Sequence, residues 1–357
     1  MRSGGKSRFL LQLAMLYARD SVREKVYSFR LESSMAKPSG VAKSVRVMER
    51  LSDFLRPDSG RNLSASALMN YCQCQVKFYY KNVVGIGDDV ESPDYIDAIT
   101  QGNIVHRAMQ NLYLPESLQK KYLKRRVVLD VAKLTEIAGD KELISRVVRR
   151  AVNREHFHLP PEKLDRELTG TVAMVAERLE AMVGNAVCHD LMTAPVELVG
   201  AEITGTTRWR AGASPEVNFK YAFDRVDVVG GRMRIVDYKT GSAHVDAGSI
   251  EDIFNGSYQA KYMLQLMLYA HLLEQRSDAP GGIRLSIFDV NKEPGEVECC
   301  PTLEKKRINA HTDISTEFLA GMEQILCDIF DDTKPFEPAS DETQCRYCTL
   351  KYLCGRE

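Results

Sequence analysis

At 357 residues and 44% hydrophobic, the chain is long enough for one large domain or two ordinary ones. Lys+Arg 48 against Asp+Glu 49 leaves a net charge of −1, so any nucleic-acid surface must be a local patch rather than a property of the whole chain. No apolar run reaches the length of a membrane span.

Near the start, Arg2, Lys6 and Arg8 accompany FLLQLAML, which imitates a secretion signal. That stretch is short, is interrupted by Gln12 and runs into charged YARDSVREK rather than a cleavage site. A cytoplasmic location is therefore expected, and in a reducing compartment the nine cysteines are not a disulfide framework. Some of them should bind metal.

In chain order, residues 7–19 read as a short amphipathic helix followed by irregular chain to about Leu55. RPDSGRN (56–62) has linker composition. The expected division is thus 1–55, a linker over 56–62, and a domain over 63–357. Ser64 is a candidate N-cap for a helix from Ala65 past Tyr71. An acidic loop over 88–97 precedes a helix from about Asp97 to Leu112. Residues 115–195 read as largely helical, with basic clusters at Lys120, Lys121, Lys124, Arg125, Arg126 and at Arg146, Arg149, Arg150. A strand-rich section follows from Val196 to Tyr238, then a helix over about 258–273, a strand over 282–289 and a helix over 313–330. This order implies an α+β fold, a central β-meander with helices packed on it.

The most informative segment is VNFKYAFDRVDVVGGRMRIVDYKTG (217–241). Val217, Phe219, Tyr221 and Phe223 alternate with more polar residues, as in a half-buried strand. Gly230-Gly231 is a two-residue hairpin turn, since both positions tolerate positive φ. Counting outward from that turn, Asp224 stands opposite Asp237. Opposed like charges are destabilising unless a cation lies between them. Lys239, two residues beyond Asp237, projects from the same face. Two acids and a lysine around one point suit a Mg²⁺ that keeps several waters and a substrate phosphate. An exposed hairpin with an Asp–Lys salt bridge is the plainer reading of the same residues. Gly102 and His106 share a helix face, as do Gln265 and Tyr269, and Glu202 in VGAEITG is a further candidate acid. At the C-terminus, Cys345, Cys348 and Cys354 form C-x₂-C-x₅-C, a partial metal site that needs a fourth ligand from elsewhere.

FDRVD followed by IVDYKTG resembles the core motif of the RecB/AddB-like PD-(D/E)XK nucleases, and the resemblance runs from about Leu63 to the C-terminus. QGNIVHRAMQNLY (101–113) is similar to the family's G-x-x-x-H helix, and QLMLYAHLL (265–273) to its Q-x-x-x-Y helix. SASALMNYCQCQVKFYY (64–80) resembles the segment that carries a lone cysteine, with Gln75 in place of the usual Pro. Tyr221 stands where the family has Gly. The resemblance implies a central mixed sheet flanked by helices. It implies Mg²⁺ or Mn²⁺ held by His106, Asp224, Asp237 and the Tyr238 carbonyl, with Lys239 as catalytic lysine and Gln265 and Tyr269 assisting. It assigns Cys74 as the fourth thiolate and favours a 4Fe–4S cluster over Zn²⁺, a choice that spacing does not make. Cys72, two residues away, fits the family's register relative to Tyr71 and Lys77 less well, and the remaining four cysteines, Cys188, Cys299, Cys300 and Cys327, read as buried or partly buried thiols. The implied activity is cleavage of DNA, from ends, in double-strand-break repair beside a helicase partner. GGKSRFLLQL (4–13) resembles the end of the helicase-like part of AddB-type proteins. The alternatives are a non-catalytic, cluster-stapled DNA-binding scaffold and a hydrolase of another phosphorylated substrate.

Overall fold

The exposed Gly230-Gly231 turn joins two neighbouring strands, both residues at positive φ (58° and 78°), with Val229 paired to Arg232 as the count from the turn requires. The computed structural model describes residues 12, 40–87, 95–257, 260–276, 281–346 and 348–354. The expected helix over 7–19 lies outside them, apart from Gln12. The chain divides into two compact units, 1–37 and 38–357, and the second carries everything that follows.

Nine strands are present among the described residues: β1 (Val127–Leu129), β2 (Val196–Trp209), β3 (Val217–Val229), β4 (Arg232–Lys239), β5 (Asp246–Ala247), β6 (Arg284–Asp289), β7 (Glu298–Cys299), β8 (Thr302–Leu303) and β9 (Lys306–Arg307). Six build the main sheet in the order β1-β2-β3-β4-β6-β7, and β5, β8 and β9 form a small separate one. β1 to β4 are antiparallel neighbours, whereas β6 runs parallel to β4, so the sheet is mixed. The parallel step requires a crossover, which is the helix Lys261–Glu274.

Helices cover both faces, because alternate strand residues on each side are apolar. On one face Phe219, Tyr221, Phe223 and Ile235 form a core with α1 (Val45–Ser52), α2 (Ala65–Gln73) and two helices near the C-terminus. On the other, Val196, Val236, Tyr238 and Phe288 pack against helices from the middle of the chain. Numbered onward, these are α3 (Gln75–Phe78), α4 (Ala98–Tyr113), α5 (Val131–Gly139), α6 (Lys141–Glu155), α7 (Gly170–Met192), α8 (Lys261–Glu274) and α9 (Ser315–Phe330). Ser64 caps α2 by accepting from the Ala67 amide, and Asp97 caps α4 by accepting from Thr100, both as the sequence indicates. No described helix is long and apolar enough to cross a membrane.

Three expectations change. Residues 45–52, expected to be irregular, form α1, which buries Val47 and Leu51, with Phe54 following, a helical stripe hidden in the sequence by the charged residues between them. RPDSGRN does not hold two bodies apart, since the Asn218 amide donates to the Arg56 and Arg61 carbonyls at 2.7 and 3.2 Å and folds the loop onto β3. The Lys120–Arg126 cluster is not helical. It forms a loop leading into β1, whose backbone donates to Ala201 and Val199 of β2 at 3.1 and 2.9 Å.

Under the sheet lies a buried charge network that the sequence did not reveal. The Arg225 guanidinium donates twice to Asp190 of α7 at 2.7 Å and once to Asp227 at 2.6 Å. Arg234 donates to Asp227 at 2.9 and 3.0 Å and to Glu298 at 3.2 Å. The Tyr113 hydroxyl donates to Asp190 at 2.6 Å. All four central charges are essentially excluded from water. Each is paired and hydrogen-bonded, as burial of charge demands. The network joins α4, α7, β3, β4 and β7 through fixed directional bonds.

Candidate active site

Three acids fall in one row across three adjacent strands. Ala201 pairs with Arg225 and Ile203 with Phe223, so Glu202 of β2 stands opposite Asp224 of β3. Arg225 pairs with Val236, so the next step outward places Asp224 opposite Asp237 of β4. Strict strand alternation breaks at this row. Ile203 and Phe223 belong to one core, whereas Ala201 belongs to the other. The break has a local cause. A β-bulge at Leu198/Gly200 is followed by Glu202 at φ 51°, a left-handed conformation costly for a side chain of this kind. Gly200 is required there, since a Cβ would come within 2.7 Å of the Lys121 carbonyl oxygen.

Helix α4 supplies His106 from one side. Its Nδ1 lies 3.2 Å from Glu202 Oε1, and its Nε2 lies 3.5 Å from Asp224 Oδ2 and 3.2 Å from the Tyr238 carbonyl oxygen. Helix α8 supplies Gln265 from the other side, donating to Asp237 Oδ1 at 2.8 Å. The Lys239 ammonium is ion-paired with Asp237 Oδ2 and sits 4.8 Å over the Tyr262 ring. Asp224 Oδ2 accepts from the Tyr238 amide at 2.9 Å, which ties the end of β4 to β3 where the ladder stops. Tyr262, Gln265 and Tyr269 recur at helical spacing and therefore line one face of α8. Tyr269 reaches less far than Gln265: it packs edge-on against Phe223, with ring centres 5.1 Å apart.

The electrostatics follow from crowding. Burial pushes the Asp224 carboxyl up to about 7; His106 opposes the shift, while Asp237 and Glu202 add to it. Burial lowers His106, but Asp224 and Glu202 outweigh it and raise the imidazole to about 9. Lys239 is likewise disfavoured by burial and held charged by Asp237 and Asp224. Glu202 Oε1 and Asp237 Oδ2 are buried without a well-directed hydrogen bond, although His106 and Lys239 stand beside them. Ligand atoms of His106, Glu202 and Asp224 lie within 4.8 Å of one another. Carboxylates, an imidazole and a carbonyl oxygen are the donors that a hard divalent cation takes, so the residues fit a metal.

The predicted site residues His106, Asp224, Asp237, Tyr238, Lys239 and Gln265 are thus brought together. Glu202, weakly signalled in the sequence, joins them on the far side of His106. Gly102 is not demanded by space, since an added Cβ would meet only Thr240 Oγ1, at 3.9 Å. Tyr221 does not intrude on the site. It stacks on Phe223 at 4.6 Å and is accommodated across the ladder by Gly205, whose Cβ would fall 2.4 Å from the tyrosine oxygen.

A second cluster lies apart from the acids. Cys74, Cys345, Cys348 and Cys354 all line one small cavity of about 30 Å³. Cys74 is the N-cap of α3, its Sγ accepting from the Lys77 amide at 3.4 Å. Cys72 faces a different cavity beside Ile253 and Gly256, and burial pushes its thiol up to about 12. The nine cysteines form no disulfide. Cys327 is exposed rather than buried, because it falls on the solvent face of α9.

No curated protein matches the chain significantly. The family model described as the PD-(D/E)XK nuclease superfamily matches residues 62–355, which span α2, the acid row, Lys239 and the C-terminal cysteines. By that match, and with the mixed sheet and acid–lysine row at its centre, this chain belongs to the PD-(D/E)XK nuclease superfamily.

Proposed function

We propose that the protein is a Mg²⁺- or Mn²⁺-dependent deoxyribonuclease that hydrolyses phosphodiester bonds from DNA ends, in the cytoplasm and in the service of double-strand-break repair. The observation that carries this reading is the row Glu202–Asp224–Asp237 with Lys239 beside it and His106 above it. His106, Asp224, Asp237 and the Tyr238 carbonyl are assigned as the groups that hold the cation. Bound there, a divalent ion acidifies a water and offsets charge developing on phosphorus. Lys239, kept protonated by Asp237, orients the attacking water and faces the developing negative charge. Gln265 fixes the Asp237 carboxylate, and Tyr269 stiffens the β3 side of the site through Phe223. Glu202 orients the His106 ring through Nδ1, leaving Nε2 directed at Asp224 and the Tyr238 carbonyl.

Cys74, Cys345, Cys348 and Cys354 are assigned to a 4Fe–4S cluster, with Zn²⁺ as the competing occupant; convergence of four thiols from distant segments on one cavity supports a metal of either kind. Such a cluster ties α2–α3 to the C-terminal segment and restrains the unfolded chain. The similarity of residues 4–13 to the end of a helicase-like region supports a helicase partner.

The test is cleavage of labelled linear DNA by anaerobically purified protein with Mg²⁺ or Mn²⁺, beside Asp237→Ala. Metal-dependent cleavage lost in the variant supports the nuclease and its site. Equal cleavage by both proteins removes the assignment.

A further inference from the structure

Apart from the acid row, a groove of about 610 Å³ lies between α4, α6 and the loops after each. Four arginines line it: Arg107 from α4, and Arg146, Arg150 and Arg154 from α6. The α6 residues recur at helical spacing and so form one basic stripe on one face. Arg107 also lines a smaller cavity of about 150 Å³ that contains His106 and Glu202. His106 and Arg107 are consecutive on α4, so one residue faces the acid row and the next opens onto the arginine groove. The two cavities meet at Arg107, which is ion-paired with Glu155.

Arg146 is exposed and makes no ion pair among the described residues. Arg154 is exposed and, among the described residues, donates only to the Leu159 carbonyl, at 3.2 Å. Arg150 holds Asp165 across the groove at 2.5 Å. Two of the four guanidiniums therefore lack a carboxylate, and the other two have partners that an incoming phosphate can replace. The rest of the lining is mixed: Leu143, Val147 and Leu164 give apolar surface, while Asn111, Gln119, Glu116 and Asp165 are polar or acidic. A site for a bare phosphate ion has no use for that apolar surface. A nucleotide strand does: its phosphates suit the guanidiniums, and its bases suit guanidinium planes and apolar side chains. The volume is that of pockets enclosing a small organic ligand, roughly 300–1,000 Å³, and not of a groove that seats a duplex.

We infer that the α4–α6 groove binds single-stranded nucleic acid and leads it past Arg107 to the acid row. This rests on the nuclease reading for its destination but not for its chemistry, which is binding alone.

The experiment measures anisotropy of a labelled oligothymidylate, and separately of a labelled duplex, with the full chain and divalent metal chelated so that no cleavage enters the readout. Arg146→Glu and Arg154→Ala, both at exposed positions, are compared with wild type and with Arg46→Glu on α1 as a remote control. Thermal melting checks that each variant is folded. The expected result is a loss of single-strand affinity of about tenfold or more in Arg146→Glu, with a shallower salt dependence, roughly 0.7 less in log–log slope per phosphate contact removed. Arg46→Glu and the duplex should change little. Unchanged single-strand affinity in both groove variants overturns the inference, as does an equal loss in the remote control or an equal loss for duplex. If wild type fails to cleave with metal yet shows the groove-dependent binding, the nuclease reading falls and the groove stands. Cleavage-competent protein with groove-independent binding gives the reverse.

Discussion

Asp237 is pinned from two sides, by Lys239 and by Gln265, and the consequences of removing each partner differ. Asp237→Ala and Lys239→Ala remove groups assigned to the reacting centre, and each should lower single-turnover cleavage by at least about 10²-fold in protein that melting shows to be folded. Gln265→Ala leaves the acid in place but frees its rotamer. The expected effect is a requirement for roughly 10–100-fold more Mg²⁺, read from a metal titration of the cleavage rate, with the rate at saturating metal largely restored. The Asp224–Asp237 pairing was legible because Gly230-Gly231 announces its own turn and sets the register by counting. The place of Glu202 opposite Asp224 was not, although Glu202 is a candidate acid in the sequence, because β2 joins β3 through RAGASPE, which names no turn type and so sets no register. The Glu202 side chain reaches His106 through a left-handed backbone that no propensity favours for Glu.

At the level of elements, the buried Asp190–Arg225–Asp227–Arg234 network fixes how α7 meets the hairpin. Asp190→Ala leaves Arg225 charged, buried and short of its bidentate partner, and should cost about 3–5 kcal/mol in denaturant unfolding. Nothing in FDRVD marks Arg225 as buried; its partner lies on α7, 35 positions away in sequence. A second helix-borne group gives a pH dependence. His271 of α8 is buried against Phe318, Trp209 and His311, with Ser315 and Glu274 also facing it. Burial, reinforced by His311 and partly opposed by Glu274, lowers its pKa from the usual 6.5 to about 4. The folded state therefore resists taking a proton that the unfolded chain accepts. This contribution to stability is complete above about pH 6.5 and is lost as pH falls toward 4, by about 3 kcal/mol at most. Urea unfolding across that window should show a shallower loss in His271→Asn. Cys74 and Cys72 divide as neighbours on different faces: on the proposed 4Fe–4S assignment, Cys74→Ala should abolish the visible absorbance of the anaerobically purified protein, whereas Cys72→Ala should retain it.

For the whole molecule, the boundary drawn at 56–62 has a practical consequence. Val41 bridges to Phe336, and Val47, Leu51 and Phe54 are buried in the same core as β3 and α9. A chain beginning at Arg56 loses those contacts, roughly 5–9 kcal/mol of burial at 1.5–3 kcal/mol per side chain. It should unfold at markedly lower denaturant than one beginning at Pro38, or fail to fold. The reason is topological: the half of β3 that lies beyond its pairing with β4 takes its contacts from the start of the domain, as in the Asn218 amide donating to the Phe54 carbonyl at 2.8 Å.

The sequence by itself determined the class of fold, the strand pair carrying two acids and a lysine, the helices flanking them and the three clustered C-terminal cysteines. These depend on periodicity, turn chemistry and short spacings, which are local. The tertiary structure was needed to show that Glu202 completes the acid row and that α1 belongs to the domain, and it puts Cys74, the cysteine implied by the family resemblance, beside the other three thiols and Cys72 on another cavity. It also decided that four arginines on two helices share one groove with the site's neighbour cavity. Each of these rests on contacts between segments far apart in sequence, made possible by a bulge, a left-handed residue or a helix crossing that leaves no periodic trace in the chain.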